Sequence, residues 1–260
     1  MRLLLCMEMD IQILHEKVNV IRHHRPLIYN ITNYVAMNFS ANVLLALGAS
    51  PIMSNAVDEA EEKALQADAL VVNIGTLDSN WLDAMCRAGR IMSERHKNIV
   101  LDPVGAGFTS YRLKASSHII EECRPTVIKG NATEILALSG RSVAGRGVDS
   151  NVQANMAVEA AQELSQRCDA VVVVSGETDY LVHGSRMATV GFGSPIMTKV
   201  TAMGCAASAV VAAFAVCDSD VFLAAKYGMM AVGLAGQRAA EHAQLPGSFQ
   251  PLFIDKVYEL

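Results

Sequence analysis

Five short apolar runs constrain the fold of this chain more than any other feature of its sequence. They cover Leu27–Ile31, 69–74, Asn98–Asp102, 126–129 and 170–175, and each holds four to six residues that include β-branched side chains. Hydrophobicity that is continuous rather than alternating is typical of strands covered on both faces. The runs therefore predict a largely parallel sheet buried between two layers of helices.

Helical patterns fill the segments between these runs. Apolar residues recur at every fourth position in two of the segments: Val35, Phe39, Val43 and Leu47, and then Val152, Met156, Ala160, Leu164 and Cys168. Residues 180–182 and 187–190, separated by a Gly-Ser turn, predict a β-hairpin. Two more helices, at 205–216 and 221–242, follow each other with no strand between them. The sequence thus predicts a three-layer α/β fold with a largely parallel central sheet flanked by helices.

The chain shows no division into parts. Its 260 residues contain no internal repeat and no Pro/Ser-rich linker, so we expect a single domain over 1–260. We expect residues 1–10 to be a flexible extension, because a short apolar stretch is followed there at once by acidic residues. The apolar segment 206–217 is interrupted by Ser208 and is far shorter than the roughly 20 residues of a membrane span.

Composition narrows the class of partner. Hydrophobic residues make up 52% of the chain and charged residues 18%, which excludes an intrinsically disordered protein. The net charge of −5 argues against a nucleic-acid or anionic-membrane surface, so we expect a small-molecule partner. The six cysteines include no C-x-x-C pair, so we expect no zinc site, no disulfide framework and a cytoplasmic location.

Polar residues and glycines follow the predicted strands. Such clusters stand at 30–33, 73–76, 101–107, 129–134 and 175–179. Ligands of parallel α/β sheets bind beyond the carboxyl ends of the strands. Each cluster alone is more typical of turns and helix caps, but five of them at one edge of a sheet predict a binding site there.

Asp102 and Glu134 are the candidate metal ligands at this edge. Mg²⁺ that bridges ATP phosphates takes one or two protein carboxylates and keeps waters in its other positions. The structural alternatives are a turn at Asp102 and a favourable interaction of Glu134 with a helix dipole. Lys129 could place its positive charge on a phosphate chain, although a solvated lysine is more common.

Residues 199–205 precede the predicted buried helix and form a candidate phosphate site. Free backbone N–H groups at a helix N-terminus bind anions and stabilise the charge on a transferring phosphoryl group. A cysteine in the first helical turn is expected to have a lowered pKa, so Cys205 could contact a substrate hydroxyl. The alternative is that Cys205 is simply a small apolar residue of a small-residue helix.

These segments together resemble the hydroxyethylthiazole kinase family, from about residue 26 to about residue 250. The segments that carry the resemblance are 38–53 (NFSANVLLALGASPIM), 73–77 (NIGTL), 101–107 (LDPVGAG), 130–135 (GNATEI) and 245–250 (LPGSFQ). The resemblance implies a ribokinase-like fold. It also implies phosphorylation of the primary hydroxyl of 4-methyl-5-(2-hydroxyethyl)thiazole with ATP and Mg²⁺, for thiamin phosphate synthesis.

The resemblance further implies residue roles and an assembly. The thiazole would be bound by Asn33, Met53, Gly75 and Ala202, and the nucleotide by Lys129, Ser175 and Asn131. The metal would be bound by Asp102 and Glu134. The catalytic residues would be Thr201, Gly204 and Cys205, with residues 201–205 forming an anion hole. The family forms trimers with active sites between subunits, so we expect a homotrimer.

The chain departs from the family pattern at three places. Lys129 stands where the family usually has Arg, which loses a bidentate fork. Ser175 stands where the family usually has Thr. Ala202 and Met203 replace the first half of a Gly-x-Gly-Cys loop, although alanine does not readily adopt the positive φ that is open to glycine.

The sequence leaves other functions open. They are a kinase for another vitamin-precursor alcohol such as a hydroxymethylpyrimidine, an ATP-dependent repair dehydratase, and a non-catalytic sensor of thiazole or nucleotide. The general base is also open, since the metal and the anion hole could carry most of the catalysis without a Cys205 thiolate. An oxidoreductase is least favoured, because Gly105 and Gly107 lack the third glycine and the ribose-binding acid of a dinucleotide fingerprint.

Overall fold

The computed structural model describes the backbone of residues 2–141 and 150–260 and the side chains of 8–141 and 156–260. The helices are α1 (Arg2–His24), α2 (Met37–Leu47), α3 (Ala60–Gln66), α4 (Ser79–Glu94), α5 (Ser110–Cys123), α6 (Ala132–Leu138), α7 (Ser150–Cys168), α8 (Met203–Cys217), α9 (Val221–Ala240) and α10 (Pro246–Tyr258). The strands are β1 (Leu27–Ile31), β2 (Ser50–Met53), β3 (Ala69–Asn73), β4 (Asn98–Asp102), β5 (Val127–Asn131), β6 (Val171–Ser175), β7 (Asp179–His183) and β8 (Arg186–Val190).

These strands form one eight-stranded sheet in the order β2-β1-β3-β4-β5-β6-β7-β8. The pairs from β2 to β6 are parallel, and the hairpin of β7 and β8 adds two antiparallel strands. Helices cover both faces, so the predicted three-layer α/β fold is confirmed. The strand β2 lies at the edge and all of its residues are partly exposed, which explains why no continuous apolar run marks it.

The alternation of side chains along each strand divides the interior into two cores, one on each face of the sheet. On β4, Val100 packs in one core with α8 and α9, whereas Ile99 and Leu101 pack in the other with α4 and α7. Because successive side chains of a strand point to opposite faces, the strands β1 to β7 contribute to both cores, whereas β8 contributes only to the core of α8 and α9. The same alternation determines which side chains at the strand ends face α8.

The two fourfold apolar patterns lie mainly in α2 and α7. Phe39, Val43 and Leu47 are buried in α2, and Ala160 and Leu164 are buried in α7. Two members of the patterns differ. The side chain of Val152 lies outside the described residues, and Val35 precedes α2 and is exposed, because residues 33–36 form a turn closed by hydrogen bonds to the Asn33 carbonyl oxygen.

The predicted pair of consecutive helices is present as α8 and α9, which pack closely. A Cβ built at Gly228 would lie 2.9 Å from the Val211 Cα atom, so only glycine permits this approach. Small side chains let α8 be buried along nearly its whole length. Among the described residues, no helix is long and apolar enough to span a membrane.

The N-terminal region differs from the expected flexible extension over residues 1–10. The helix α1 begins at Arg2, and its residues Leu14, Val18 and Ile21 are fully buried at helical spacing. Within the expected extension, Asp10 accepts hydrogen bonds from Lys226 Nζ and Tyr227 Oη on α9. These contacts join Asp10 to α9.

Candidate active site

Three polar side chains lie in a row on the α8 side of the sheet, at the carboxyl ends of neighbouring strands. Asn73 pairs with Asp102 in register, and Leu101 pairs with Ile128, so Asp102 and Lys129 are the next residues along their strands. Asn73 is 0% exposed, and Asp102 and Lys129 are each 3% exposed. Lys129 is therefore not the solvated lysine of the structural alternative. Its Nζ atom lies 3.9 Å from Asp102 Oδ2.

The N-terminal turn of α8 lies over this row. A Cβ built at Gly204 would be 3.7 Å from Lys129 Nζ, so the two walls of the site face each other at ordinary van der Waals distance. Ala202 is the N-cap residue and has φ 67° and ψ 4°. The backbone thus adopts a left-handed conformation despite the alanine side chain, and no side chain caps the turn. Its first N–H groups are available to an anion.

Ser208 joins these two walls. Its Oγ donates a hydrogen bond of 2.7 Å to Asp102 Oδ2, and both residues are buried. The contact fixes the carboxylate relative to the helix that carries Gly204, one turn earlier in α8. Sequence reasoning missed this role, although Ser208 is the one hydroxyl in the apolar segment 206–217.

Glu134 and Asn131 form a capping box at the start of α6. Asn131 Oδ1 accepts a hydrogen bond from Glu134 N–H, and Glu134 Oε2 accepts one from Asn131 N–H. Glu134 Oε1 accepts a third, from Gly105 N–H at 2.8 Å. Burial raises the pKa of the Glu134 carboxyl, and these N–H groups oppose that rise. The carboxylate is thus held at a fixed position beside the loop that follows β4.

An amide pair connects Asn73 with Cys205. Asn33 Nδ2 donates to Asn73 Oδ1 at 2.7 Å and to Cys205 Sγ at 3.3 Å, and Asn33 Oδ1 accepts from Ala36 N–H. Burial, and then the charge of Asp102, raise the pKa of the Cys205 thiol. The prediction of a lowered pKa is therefore wrong, because burial outweighs the effect of the helix N-terminus. Burial therefore favours the neutral thiol of Cys205 over the thiolate.

These groups line a cavity of about 390 Å³. Its lining contains every predicted site residue except Met53: Asn33, Gly75, Asp102, Lys129, Asn131, Glu134, Ser175, Thr201, Ala202, Gly204 and Cys205. Val35, Thr76 and Val104 complete the lining. Met53 ends β2 and is partly buried beside Asn30, one strand farther from the cavity.

A second residue missed by the sequence interpretation is Arg112 in α5. Its guanidinium donates to the carbonyl oxygens of Ile74, Gly75 and Val104. These carbonyls belong to the loops that follow β3 and β4, so Arg112 ties the two loops together beneath the cavity. Gly75 itself has no room for a side chain, because a Cβ there would lie 2.6 Å from Asn33 Nδ2.

The electrostatics of the cavity favour a cation that accompanies an anionic ligand. Burial would lower the pKa of Lys129, but Asp102 and then other acidic groups, Glu134 and Asp179 among them, raise it above its usual value. Burial raises the pKa of Asp102, against the charge of Lys129, and raises the pKa of Asp179 to about 6. We regard Lys129 and Asp102 as an ion pair. The cavity lining has one ammonium, that of Lys129, and two carboxylates, those of Asp102 and Glu134, so it offers no surplus of positive charge to a polyphosphate.

A divalent ion brought by the phosphates would balance this charge. Among the described residues, no group of three His, Cys, Asp or Glu could hold a metal by itself. Asp102 and Glu134 nevertheless suit Mg²⁺, which is usually bound by one or two carboxylates together with waters and substrate phosphates. The residues present therefore fit a magnesium ion that arrives with a nucleotide.

Comparisons with known proteins agree on one family. The model described as "Hydroxyethylthiazole kinase family" matches residues 18–260. A hydroxyethylthiazole kinase of Leptospira biflexa is 44% identical over 245 residues, which cover 94% of this chain and 92% of the relative. The solved hydroxyethylthiazole kinase of Pyrococcus horikoshii OT3 has a TM-score of 0.87 and 38% identity, covering 96% of this chain and 94% of its own. A ribokinase-like superfamily protein from Enterococcus faecalis, with a TM-score of 0.66 over 92% of this chain and 88% of its own, is 11% identical and is similar in fold alone.

Proposed function

The chain belongs to the hydroxyethylthiazole kinase family, and from that premise we propose that it transfers the γ-phosphoryl group of ATP to the primary hydroxyl of 4-methyl-5-(2-hydroxyethyl)thiazole in thiamin salvage. One observation supports this function more than any other. The buried pair of Asp102 and Lys129 lies beneath the uncapped N-terminal turn of α8, in a cavity open to ligands. Phosphoryl transfer needs this combination of fixed charge and backbone donors.

The phosphate chain binds between Lys129 and residues 201–205. The ammonium group contacts phosphate oxygens, and the N–H groups of Gly204 and its neighbours receive the charge that develops on the transferring group. Ser175 and Asn131 line the nucleotide side, and Ser175 Oγ donates a hydrogen bond to the Gly130 carbonyl oxygen.

Asp102 and Glu134 would hold Mg²⁺ together with the nucleotide. The ion would supply positive charge to the phosphates. Asp102 Oδ2 is fixed by Ser208 and both oxygens of Glu134 are fixed by backbone N–H groups. The protein therefore presents its two carboxylates in fixed positions.

The proton of the substrate hydroxyl passes to Asp102 rather than to Cys205. A thiol with a raised pKa is not a thiolate at neutral pH, so Cys205 orients the hydroxyl. The charge of Asp102 opposes ionisation of Cys205, so the Asp102 carboxylate is the acceptor available to the hydroxyl proton on this side of the cavity.

Asn33, Gly75 and Ala202 form one side of the thiazole pocket. We place Met53 in that pocket only within a homotrimer, in which another subunit completes the site. The supporting observation is the apolar surface at the cavity mouth, where Tyr34 is 66% exposed and Val35 is 58% exposed. Light scattering should give the mass of a trimer. A monomer that turns over the alcohol at full rate would overturn this arrangement.

ADP release in a coupled assay tests the function. We expect release that depends on both the thiazole alcohol and Mg²⁺, and much weaker release with a hydroxymethylpyrimidine. Equal or faster turnover of the pyrimidine would make the chain a kinase for another vitamin-precursor alcohol. Tight binding of nucleotide and thiazole without any ADP release would make it a sensor.

A further inference from the structure

The guanidinium of Arg112 lies behind the wall of the cavity rather than in its lining. Arg112 is partly buried and is not a lining residue, whereas Val104 and Gly75 are. Arg112 Nη1 donates a hydrogen bond of 2.6 Å to the Val104 carbonyl oxygen, and Arg112 Nη2 donates to that of Gly75. A cation in this position acts on a ligand only through the residues that it holds.

One of these contacts leads directly to Glu134. The carbonyl group of Val104 and the N–H of Gly105 belong to the same planar peptide group. The carbonyl oxygen accepts from Arg112 Nη1, and the N–H donates to Glu134 Oε1 at 2.8 Å. A single peptide group therefore joins the guanidinium to a carboxylate that is a candidate magnesium ligand.

The Gly105 contact sets the position of Glu134 relative to Asp102. The other carboxylate oxygen, Glu134 Oε2, accepts from Asn131 N–H within the capping box of α6. Only the bond to Gly105 ties the carboxylate to the loop that follows β4, the strand that ends at Asp102. Hydrogen bonds in series polarise one another, so the positive charge on the Val104 carbonyl strengthens the Gly105 N–H as a donor.

The local sequence builds this contact at both of its ends. Gly105 has φ 72°, and a Cβ there would lie 3.3 Å from Arg112 Cδ and from Arg112 Nη1, so glycine suits both the turn and the close approach of the guanidinium. Thr109 caps α5, and its Oγ1 accepts a hydrogen bond of 3.2 Å from Arg112 N–H. The loop after β4 is thereby closed around the Arg112 side chain.

We propose that Arg112 is a positioning residue for the metal side of the reaction. It holds and polarises the peptide group between Val104 and Gly105, and so fixes the Glu134 carboxylate for a divalent cation that arrives with the nucleotide. This inference rests on the proposed function and adds to it a residue outside the cavity. Loss of the guanidinium should therefore weaken the binding of Mg²⁺ with a nucleotide, and only while residue 134 is a carboxylate.

Calorimetry with ADP, in the presence and absence of Mg²⁺, tests this role without turnover. The quantity compared is the magnesium gain, the factor by which Mg²⁺ raises the affinity for ADP. Arg112→Met should lower the magnesium gain about tenfold, as expected for loss of a residue that orients a metal ligand. Arg90→Met is the matched control, because Arg90 on α4 donates to Glu122 on α5 and so removes a contact of the same helix away from the loop. It should keep the wild-type gain.

A double variant separates positioning from a general structural role. Glu134→Gln should itself lower the magnesium gain, and adding Arg112→Met should lower it no further, because the two residues act in one chain of contacts. An equal loss from Arg112→Met in both backgrounds would overturn the inference and leave Arg112 with only the role of tying two loops together. An unchanged gain in either single variant would also overturn it.

If Arg112→Met does not fold, Arg112→Lys decides. Lysine keeps the charge but loses the fork that reaches both loops, so we expect a loss of about threefold, again absent in the Glu134→Gln background. An equal loss in both backgrounds, or none in either, would contradict the inference. Wild type that shows a magnesium gain but does not phosphorylate the thiazole alcohol would overturn the proposed function alone. Active wild type with an unchanged gain in Arg112→Met would overturn this inference alone.

Discussion

On the sheet side of the cavity, Asp102 and Lys129 act through charged side chains, whereas on the α8 side residues 202–205 offer backbone N–H groups. This difference explains why the site can contain the departures from the family pattern at residues 129 and 202. Lysine for arginine keeps the charge in the row. Alanine for glycine at Ala202 keeps the N–H groups of the turn, at the cost of a strained φ of 67°. The sheet side should therefore be sensitive to charge, and the helix side to the backbone.

Loss of the positive charge of Lys129 should lower activity more than any of the other substitutions. We expect Lys129→Met to lower kcat/KM by about 1000-fold, because the phosphates lose a buried ammonium contact. The variant also leaves the buried Asp102 without its cationic partner, which should cost about 3–5 kcal/mol of unfolding free energy. Urea denaturation and steady-state kinetics measure the two effects.

The control for this variant is Lys129→Arg, which restores the residue usual in the family and should stay within about tenfold of wild type. A folded Lys129→Met protein with nearly full activity would show that the row of side chains does not bind phosphate.

Glu134→Gln tests the carboxylate that is also a helix cap. We expect at least about a tenfold loss of turnover and a raised magnesium requirement, because one charge near the metal is removed. Glutamine has one acceptor oxygen for the two N–H groups of Asn131 and Gly105, so one buried N–H loses its acceptor and the variant should lose about 1–3 kcal/mol of unfolding free energy. A magnesium titration gives the result. An unaltered titration would leave Glu134 with the capping role alone.

Cys205→Ser should have a smaller effect. A thiol that only orients the hydroxyl can be replaced by another small hydrogen-bonding group, so we expect turnover within about tenfold of wild type. The dependence of kcat on pH should keep its shape, since the pKa of Cys205 is raised by burial and the thiol is not the base. Background activity in this variant would instead identify a thiolate as the base.

Ala202→Gly should have the smallest effect. Glycine relieves a strain on the order of 1 kcal/mol at positive φ and loses part of that gain through greater freedom of the unfolded chain. Activity should be unchanged or modestly raised, with a slightly higher Tm. Reduced activity would mean that the Ala202 methyl group contacts substrate.

The two sides of the site also differ in how far the sequence predicts them. Continuous apolar runs located five of the six parallel strands, and the residues at their ends included Asp102 and Lys129. Sequence parity could also have placed Asn73 beside Asp102. The bond from Ser208 to Asp102 could not be predicted, because it joins residues far apart in sequence through the packing of α8 on the sheet.

The sequence predicted the position of the turn at the start of α8 but not the direction in which the pKa of Cys205 is shifted. Burial of Cys205 against Asp102, which raises the pKa of the thiol, depends on tertiary packing that no local pattern reports. The same holds for α1, whose helical backbone over residues 2–10 accompanies contacts with α9 distant in sequence. Met53 stays a prediction for the thiazole pocket, since it does not line the cavity of one chain.

Gly204 offers the most direct test of the central claim that the α8 turn works through its backbone. Gly204 is the second residue of α8, where proline is tolerated by the helix, and a Cβ there meets only Lys129 Nζ at 3.7 Å. We would compare kcat/KM for Gly204→Pro and Gly204→Ala, with Tm as the check on folding. Alanine keeps the N–H and should retain activity within a few-fold. Proline removes the N–H and should lower kcat/KM by at least about 100-fold. Equal activity of the two folded variants would show that this turn does not bind the transferring phosphate.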